Sequence, residues 1–172
     1  MKRVISISIF LLLNILLFAT TTYKIFKSTK YKYSIEYPSN FIKKEAKGKN
    51  IDFKVADDKT GNSIVIVVKA LLPYEKNTTI YDYIKPPNEY IEQAIQLPNV
   101  KIEKKGICQT EDGRKGAYLH YTSKEINYTL FFMNYTFIEK GIVYVVTATC
   151  NENQKSAMQP IFFRTLQSFS LQ

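Results

Sequence analysis

The chain has 172 residues, of which 45% are hydrophobic, 14% aromatic and 23% charged. This composition supports one folded domain with a hydrophobic core, and it excludes an intrinsically disordered, collagen-like or disulfide-dense protein. The formal net charge is +9, but the 24 basic residues include only three arginines. Because arginine is the residue best suited to bidentate recognition of bases and phosphates, we do not expect a nucleic-acid partner.

The first 22 residues have the pattern of a secretory signal peptide. Lys2 and Arg3 precede an apolar run that extends to Phe18 and is followed by alanine and three threonines. A 15-residue helix is only about 22 Å long, whereas the hydrocarbon core of a bilayer is roughly 30 Å thick. We therefore predict cleavage near residues 19–22 and export to the periplasm or the extracellular space. The alternatives are an uncleaved segment that anchors the protein in the membrane and a buried core helix.

Positive charge is concentrated just after this segment. Residues 23–54 contain nine lysines against three acidic residues. We interpret residues 23–30 as a basic linker and residues 31–172 as a single domain. The lysines are either solvated residues that keep the domain soluble or a contact surface for an anionic membrane surface or partner. In the second case the candidate partner contacts are Lys43, Lys44, Lys47 and Lys49.

The first half of the domain predicts β-strands. Aromatic and aliphatic residues alternate with polar ones over residues 31–37, which is the period of a strand. The runs 51–55 and 63–72 flank a stretch rich in turn-forming residues, so we predict a hairpin. Because the second run is apolar at nearly every position, we expect it to be covered on both faces.

The second half of the domain predicts two helical pieces, then four strands and a last helix. Residues 78–85 and 88–97 predict two helical pieces separated by two prolines. Four strands joined by short turns are predicted at residues 101–109, 115–121, 128–137 and 142–150. Residues 152–169 have apolar side chains at helical spacing, and Pro160 must either begin a new first turn or kink the helix.

The two cysteines are predicted to lie three strands apart in this meander. A two-residue turn at Asp112-Gly113 pairs Cys108 with Ala117 and separates Cys108 from Cys150 by about 14 Å, whereas a disulfide requires Cα atoms within about 7 Å. This geometry argues against a bridge, although two cysteines in an exported protein ordinarily suggest one. The same register places His120, the only histidine, on the opposite face from Cys108, so we do not predict a Cys–His dyad.

Sequence motifs for catalysis and metal binding are not found. There is no phosphate-binding glycine loop, GxSxG, HExxH or CxxC. The pairs Asp57-Asp58 and Glu111-Asp112 offer carboxylates to a hard cation, but neither has the spacing of a calcium loop, and both occupy positions where turns favour Asp. We therefore predict no catalytic residue, no cofactor and no metal site.

Three segments carry a family resemblance. They are YSIEYPSNF near the start of the domain, GIVYVVTATC on the last predicted strand and PIFFRTLQSFSL in the last predicted helix. Over about residues 30–171 the chain resembles the PsbP-like domain family, which includes a photosystem extrinsic subunit and DcrB-like exported bacterial proteins. The resemblance implies an α+β fold, an α/β/α sandwich with a central antiparallel sheet covered by helices on both faces.

The resemblance also implies a class of function. The family is not known for shared catalysis, and its partners differ widely, so no functional residue is carried over to this chain. We expect an exported, non-enzymatic accessory or binding domain that contacts a protein or an envelope component. The alternative is a small-ligand or metal-ion carrier, or a hydrolase-like enzyme, with a pocket between sheet and helix.

Overall fold

The computed structural model describes residues 21–75, 77–85 and 95–172. None of the helices in these ranges is long and apolar enough to cross a membrane. The strands are β1 (Tyr23–Ser28), β2 (Tyr33–Pro38), β3 (Ile42–Lys43), β4 (Ile51–Ala56), β5 (Ser63–Ala70), β6 (Val100–Gln109), β7 (Lys115–Lys124), β8 (Thr129–Glu139), β9 (Ile142–Asn151) and β10 (Ser170–Leu171). The α-helix is α1 (Lys155–Gln167), and short 3-10 helices occupy Pro73–Glu75, Ile80–Tyr83 and Glu152–Gln154.

The strands form two antiparallel sheets. The small sheet has the order β1-β2-β10, and the large sheet has the order β3-β4-β5-β9-β8-β7-β6. The predicted antiparallel meander is thus confirmed in β6 to β9, which lie side by side in the large sheet.

The segment interpreted as a basic linker contains β1. Its six residues all pair with β2, and the ring of Phe26 stacks on that of Phe53 at 4.0 Å between centroids. β1 is an edge strand of the small sheet, and its two lysines and Ile25 are exposed. The predicted signal peptide lies outside the described residues, apart from Thr21 and Thr22.

We call the face of the large sheet that meets α1 and the small sheet the inner face. Its core contains nineteen buried residues, among them Phe137, Phe162 and Phe169. Phe169 stacks on Phe137 at 4.7 Å and lies 5.4 Å from the ring of Tyr33, so the small sheet, the end of α1 and the large sheet meet at one aromatic cluster. Burying a side chain of this size contributes about 1.5–3 kcal/mol, so this cluster helps to hold the layers together.

The opposite, outer face carries a smaller core. Leu119, Tyr121 and Phe132 are buried there, with partly buried aliphatic neighbours that include Ile95 and Ile102. The predicted helix over 78–85 is realised as the 3-10 helix Ile80–Tyr83, which contacts β7 and β8.

Helices on both faces are not confirmed, because in the described ranges the α-helix packs on the inner side only. Most of the predicted helix over 88–97 lies outside the described residues. On β5 the inward residues are buried, but Val65 and Val67 are half-buried, so the expected cover on both faces of this strand is not seen.

The predicted register of β6 and β7 is wrong by one residue. Cys108 pairs with Gly116 rather than with Ala117, because the connection closes over three residues, with Thr110 N–H donating to the carbonyl of Arg114 at 2.9 Å. A slip of one residue moves every side chain of a strand to the other face. Cys108 and His120 therefore share the inner face, contrary to the sequence-based prediction.

The next strand pairs follow from the length of β7. Because β7 continues to Lys124, Phe131 lies opposite Thr122. On its other side Phe131 faces Cys150. Pro160 lies inside a continuous α1, and the 3-10 turn Glu152–Gln154 precedes the helix.

Candidate functional site

The four lysines singled out from the sequence lie together on the surface. Lys43 ends the edge strand β3, and the others lie in the connection to β4; we call residues 43–49 the lysine loop. The connection is held by Lys44 N–H, which donates to the carbonyl of Lys54 at 2.9 Å, and by Asn50, whose φ of 72° is left-handed.

Two of these lysines have acidic neighbours. Lys44 forms an ion pair with Asp58, and Lys47 Nζ lies 3.6 Å from Glu45 Oε2 with both side chains about four-fifths exposed. Lys43 Nζ lies 5.7 Å from the ring centroid of Phe26, and Lys49 is exposed without an ion pair to any described residue. The loop therefore presents an excess of positive charge to solvent.

A cleft of about 400 Å³ lies at the same end of the molecule. Its walls come from residues 21–22, the connection 38–41, the turn 57–62, and residues 154–161 at the end of the 3-10 turn and in the first half of α1. It lies between the edge of the large sheet and α1. The alternative function in the sequence analysis, a ligand carrier or a hydrolase-like enzyme, expected a pocket between sheet and helix. The sequence alone did not identify its residues, because they come from four separate segments whose local patterns only indicate turns and a helix.

Hydrogen bonds hold the turn wall of the cleft in place. Asp57 N–H donates to the carbonyl of Asn62 at 2.9 Å and closes the turn. Lys59 N–H donates to Asp57 Oδ1 at 2.9 Å, and Asn40 Nδ2 donates to Asp57 Oδ2 at 3.2 Å. Asp57 therefore serves as a turn residue, as the sequence predicted, with both carboxylate oxygens engaged in hydrogen bonds.

Two amide side chains in the cleft wall are incompletely bonded. Asn62 is only 2% exposed, and its Oδ1 has no hydrogen-bond partner among the described residues. Gln154 Oε1, across the cleft on the helix side, is also buried and unpartnered in the described part of the chain. A buried acceptor without a donor costs about 1–3 kcal/mol, and both oxygens are closed to solvent rather than exposed in the cleft.

The reactive side chains lie elsewhere, on the inner face. Cys108 and Cys150 are both free, and burial raises the pKa of each thiol to about 11. Since the thiolate is the nucleophile, these protonated thiols are poorly reactive at neutral pH.

His120 lies on the same face, stacked near Tyr135 and edge-on to Phe131. Burial, together with the charge of nearby Lys104, lowers the pKa of His120 to about 4. The described residues contain no group of three or more His, Cys, Asp or Glu side chains placed to hold a metal ion. This environment suits a neutral core histidine.

Comparison with solved structures shows what this fold is similar to. The cyanobacterial PsbP of Synechocystis sp. PCC 6803 aligns with a TM-score of 0.63 at 13% identity, covering 88% of this chain and 94% of that one. The Ran-binding protein Mog1p of Saccharomyces cerevisiae aligns with a TM-score of 0.60 at 6% identity, covering 88% and 96%. At these identities the likeness establishes the fold alone.

A third similar structure comes from another bacterium. LpqN of Mycobacterium tuberculosis, described as involved in cell envelope biogenesis, aligns with a TM-score of 0.50 at 9% identity, covering 88% of this chain and 85% of that one. No curated protein matches the chain.

The family model provides the identification that the structural likeness alone does not. The PsbP model matches residues 21–171, which includes β1 and every later element of the two sheets. The chain belongs to the PsbP family.

Proposed function

We propose that this protein is an exported, non-enzymatic accessory domain that binds a protein or an envelope component through the lysine loop. The family and the similar structures support a binding role: Mog1p is a Ran-binding protein, and LpqN is involved in cell envelope biogenesis. The partner of this chain is a separate question, because one fold serves many partners.

The observation that carries the proposal is the exposed positive charge of the lysine loop. Lys43 and Lys49 are exposed, and the neighbouring Lys47 is 82% exposed beside a single glutamate. Clustered charge of one sign speeds the approach of a partner of opposite sign, and its effect falls as salt rises. We therefore expect an acidic partner surface whose association weakens with ionic strength.

The inner face supports a binding role over a catalytic one. Burial raises the pKa of its cysteines to about 11 and lowers the pKa of its histidine to about 4, so the thiols are poor nucleophiles at neutral pH and the imidazole is a weak base. Asp57 and Asp112 each accept hydrogen bonds within their own turns.

Crosslinking in intact cells, followed by mass spectrometry, tests the proposed partner. We expect a K43E/K44E/K47E/K49E variant to form about tenfold fewer specific crosslinks, because charge reversal slows the approach of the partner and weakens its contact. The matched control K101E/K115E/K124E/K140E changes the same net charge at four exposed lysines elsewhere. Equal losses in the two variants, or crosslinks to no specific partner in the wild type, would contradict the proposal.

Export is tested separately on the same cells. We expect the mature protein in the envelope or secreted fraction, with an N-terminus near residues 19–22 found by intact-mass measurement. A full-length chain in the membrane fraction would support the anchored alternative, and a full-length chain in the cytosol would contradict export.

One observation favours the second candidate function, a small-ligand carrier. The cleft between the turn 57–62 and α1 has the position expected of a pocket between sheet and helix, and its volume falls within the usual range for ligand sites, about 300–1,000 Å³.

A further inference from the structure

We propose that Asn127, at the tip of the β7–β8 hairpin, is an acceptor for an N-linked glycan. This modification goes beyond binding through the lysine loop, but it rests on the proposed export, because the sequence Asn-X-Ser/Thr is an acceptor in surface loops of secreted proteins. Three features of the molecule support it: where the acceptor sequence lies on the fold, how its side chains are bonded, and which side chains flank it.

The acceptor sequence occurs three times in the chain, and the structure places the three copies in different surroundings. They begin at Asn77, Asn127 and Asn134. Asn77 and Asn127 are exposed in connections between elements, whereas Asn134 is half-buried in the middle of β8. A transferase must reach the asparagine and its neighbours, so the fold separates two accessible copies from one that is built into the sheet.

Asn134 is disfavoured by its bonds as well as by its position. Its Nδ2 donates to Thr147 Oγ1 at 2.9 Å, and its Oδ1 accepts from Thr136 Oγ1 at 3.2 Å. Strands pair with β8 on both sides at this point, with Leu119 and Thr147 opposite Asn134. A glycan on Asn134 would have to displace a hydrogen bond that links two strands.

The copy at Asn77 is disfavoured at its third residue. Thr79 donates to Asp82 Oδ2 through its Oγ1 at 2.8 Å and through its N–H at 2.7 Å, at the start of the 3-10 helix Ile80–Tyr83. The acceptor sequence requires a hydroxyl at the third position. Because the hydroxyl of Thr79 is already committed to Asp82, this copy is less suited to recognition.

The copy at Asn127 lies where the chain is easiest to reach. Residues 125–128 connect β7 to β8, and Glu125 N–H donates to the carbonyl of Tyr128 at 2.9 Å, which leaves Ile126 and Asn127 at the tip. Both tip residues are exposed. Exposed loop tips tolerate additions well, so a glycan on Asn127 Nδ2 would extend into solvent away from the core.

The residues on either side of Asn127 are apolar and exposed. Ile126 is 97% exposed, and Tyr128 is 49% exposed. Turns usually carry polar residues, so two exposed apolar side chains at one tip favour a group that covers them. A sugar ring has C–H faces that can pack on an aromatic or aliphatic side chain, and the first sugar on Asn127 would lie beside both.

The modification requires one co-reactant, an oligosaccharide carried on a lipid diphosphate. Asn127 Nδ2 forms a bond to the anomeric carbon of the first sugar, while the bond from that carbon to the diphosphate oxygen breaks. The leaving diphosphate keeps the electron pair of the broken bond, and the amide nitrogen loses one proton to a base of the transferase. The reaction is a group transfer, so it needs no oxidant or reductant.

Mass spectrometry of the protein isolated from the envelope or secreted fraction of its native cells tests this assignment. We expect residues 125–140, a single tryptic peptide, to carry a mass increment of hexose or N-acetylhexosamine units, with fragment ions that place it on Asn127. T129A destroys the acceptor sequence and should lose the increment, whereas T129S keeps a hydroxyl and should retain it. The matched control T136V destroys the acceptor sequence at Asn134 and should leave the increment unchanged.

The outcomes separate this assignment from the rest of the proposed function. An exported protein whose residues 125–140 carry no sugar would overturn it and leave export intact, as would an increment that persists in T129A or lies only on Asn77 or Asn134. A full-length chain in the cytosol without sugar would contradict export and glycosylation together. Charge reversal of the lysine loop should leave the increment unchanged. If T129A does not accumulate, N127Q at the exposed tip replaces it.

Discussion

The two faces of the large sheet differ sharply in how they are covered. Among the described residues, the inner face is packed by α1 and the small sheet into a core of nineteen buried side chains, whereas the buried core of the outer face has three. Both faces carry stacked aromatics, for example Phe137 on Phe169 inside and Tyr121 on Phe132 outside, each at 4.7 Å. We therefore expect a ring to contribute more to stability where several layers meet at it than where one stacking partner covers it.

The largest effect is expected at the junction of layers on the inner face. F169A removes a fully buried ring that contacts Phe137, Tyr33 and Tyr144, so we expect a loss of about 3–5 kcal/mol in the free energy of unfolding. Chemical denaturation measures it. The control F163A removes a ring that is 45% exposed on the same helix and should change stability by about 0.5 kcal/mol or less. Similar losses in both variants would show that the inner core is not where stability resides.

The outer face should respond less. F132A removes a ring that is 9% exposed and stacked on Tyr121, and we expect a loss of about 2–3 kcal/mol, because fewer neighbours surround the cavity. Denaturation under the same conditions measures it. A loss equal to or greater than that of F169A would reverse the comparison.

We expect His120 to make the stability of the protein depend on pH. With its pKa lowered from about 6.5 to about 4, the unfolded chain takes up a proton between these values that the folded protein does not. Stability is therefore lost as the pH falls from about 6.5 to about 4, by about 2 kcal/mol after allowance for solvent screening.

A variant without the titrating group isolates this contribution. H120F should show a flatter dependence of unfolding free energy on pH across the same interval. Lys104, Lys155 and Glu103 also act on His120, so K104M should raise its pKa, as followed by NMR of the imidazole protons. An unchanged pH slope in H120F would assign the acid sensitivity to other groups.

The smallest effect is expected on the solvent-exposed side of α1. Arg164 on α1 donates to Glu36 at 3.1 Å and lies 4.1 Å from the ring centroid of Tyr23, which ties the helix to β1 and β2. Both the arginine and the glutamate are substantially exposed, so R164A should cost only about 0.5–1 kcal/mol. Repeating the denaturation in 1 M salt checks the cause. If the loss of unfolding free energy in R164A is as large in 1 M salt as at low salt, it comes from packing rather than from the ion pair.

Local sequence pattern predicted much of the β-structure but misjudged positions that depend on turn geometry. Alternating and β-branched residues located β2, β4, β5 and the four strands of the meander, and the turn at residues 57–62 was correctly assigned. The one-residue error at Cys108 arose because Asp-Gly favours a two-residue turn, whereas hydrogen bonding by Thr110 closes a longer one.

The two candidate sites also differ in how far the sequence could predict them. The cluster of lysines 43–49 was visible in the sequence because charge density is a local property, although its role as a contact surface stays a prediction. The cleft was not visible, because Asn62 and Gln154 are separated by about ninety residues and neither belongs to a recognisable motif.

By itself, the order of residues determined the strand-rich class of the protein, the family resemblance and the position of the basic segment, since these follow from side chains close together in the chain. Tertiary structure alone decided that Tyr23–Ser28 pairs as a strand, that His120 shares a face with Cys108, and that four distant segments enclose a cleft. Those outcomes depend on strand register and on packing between layers, which are set by contacts across the whole fold.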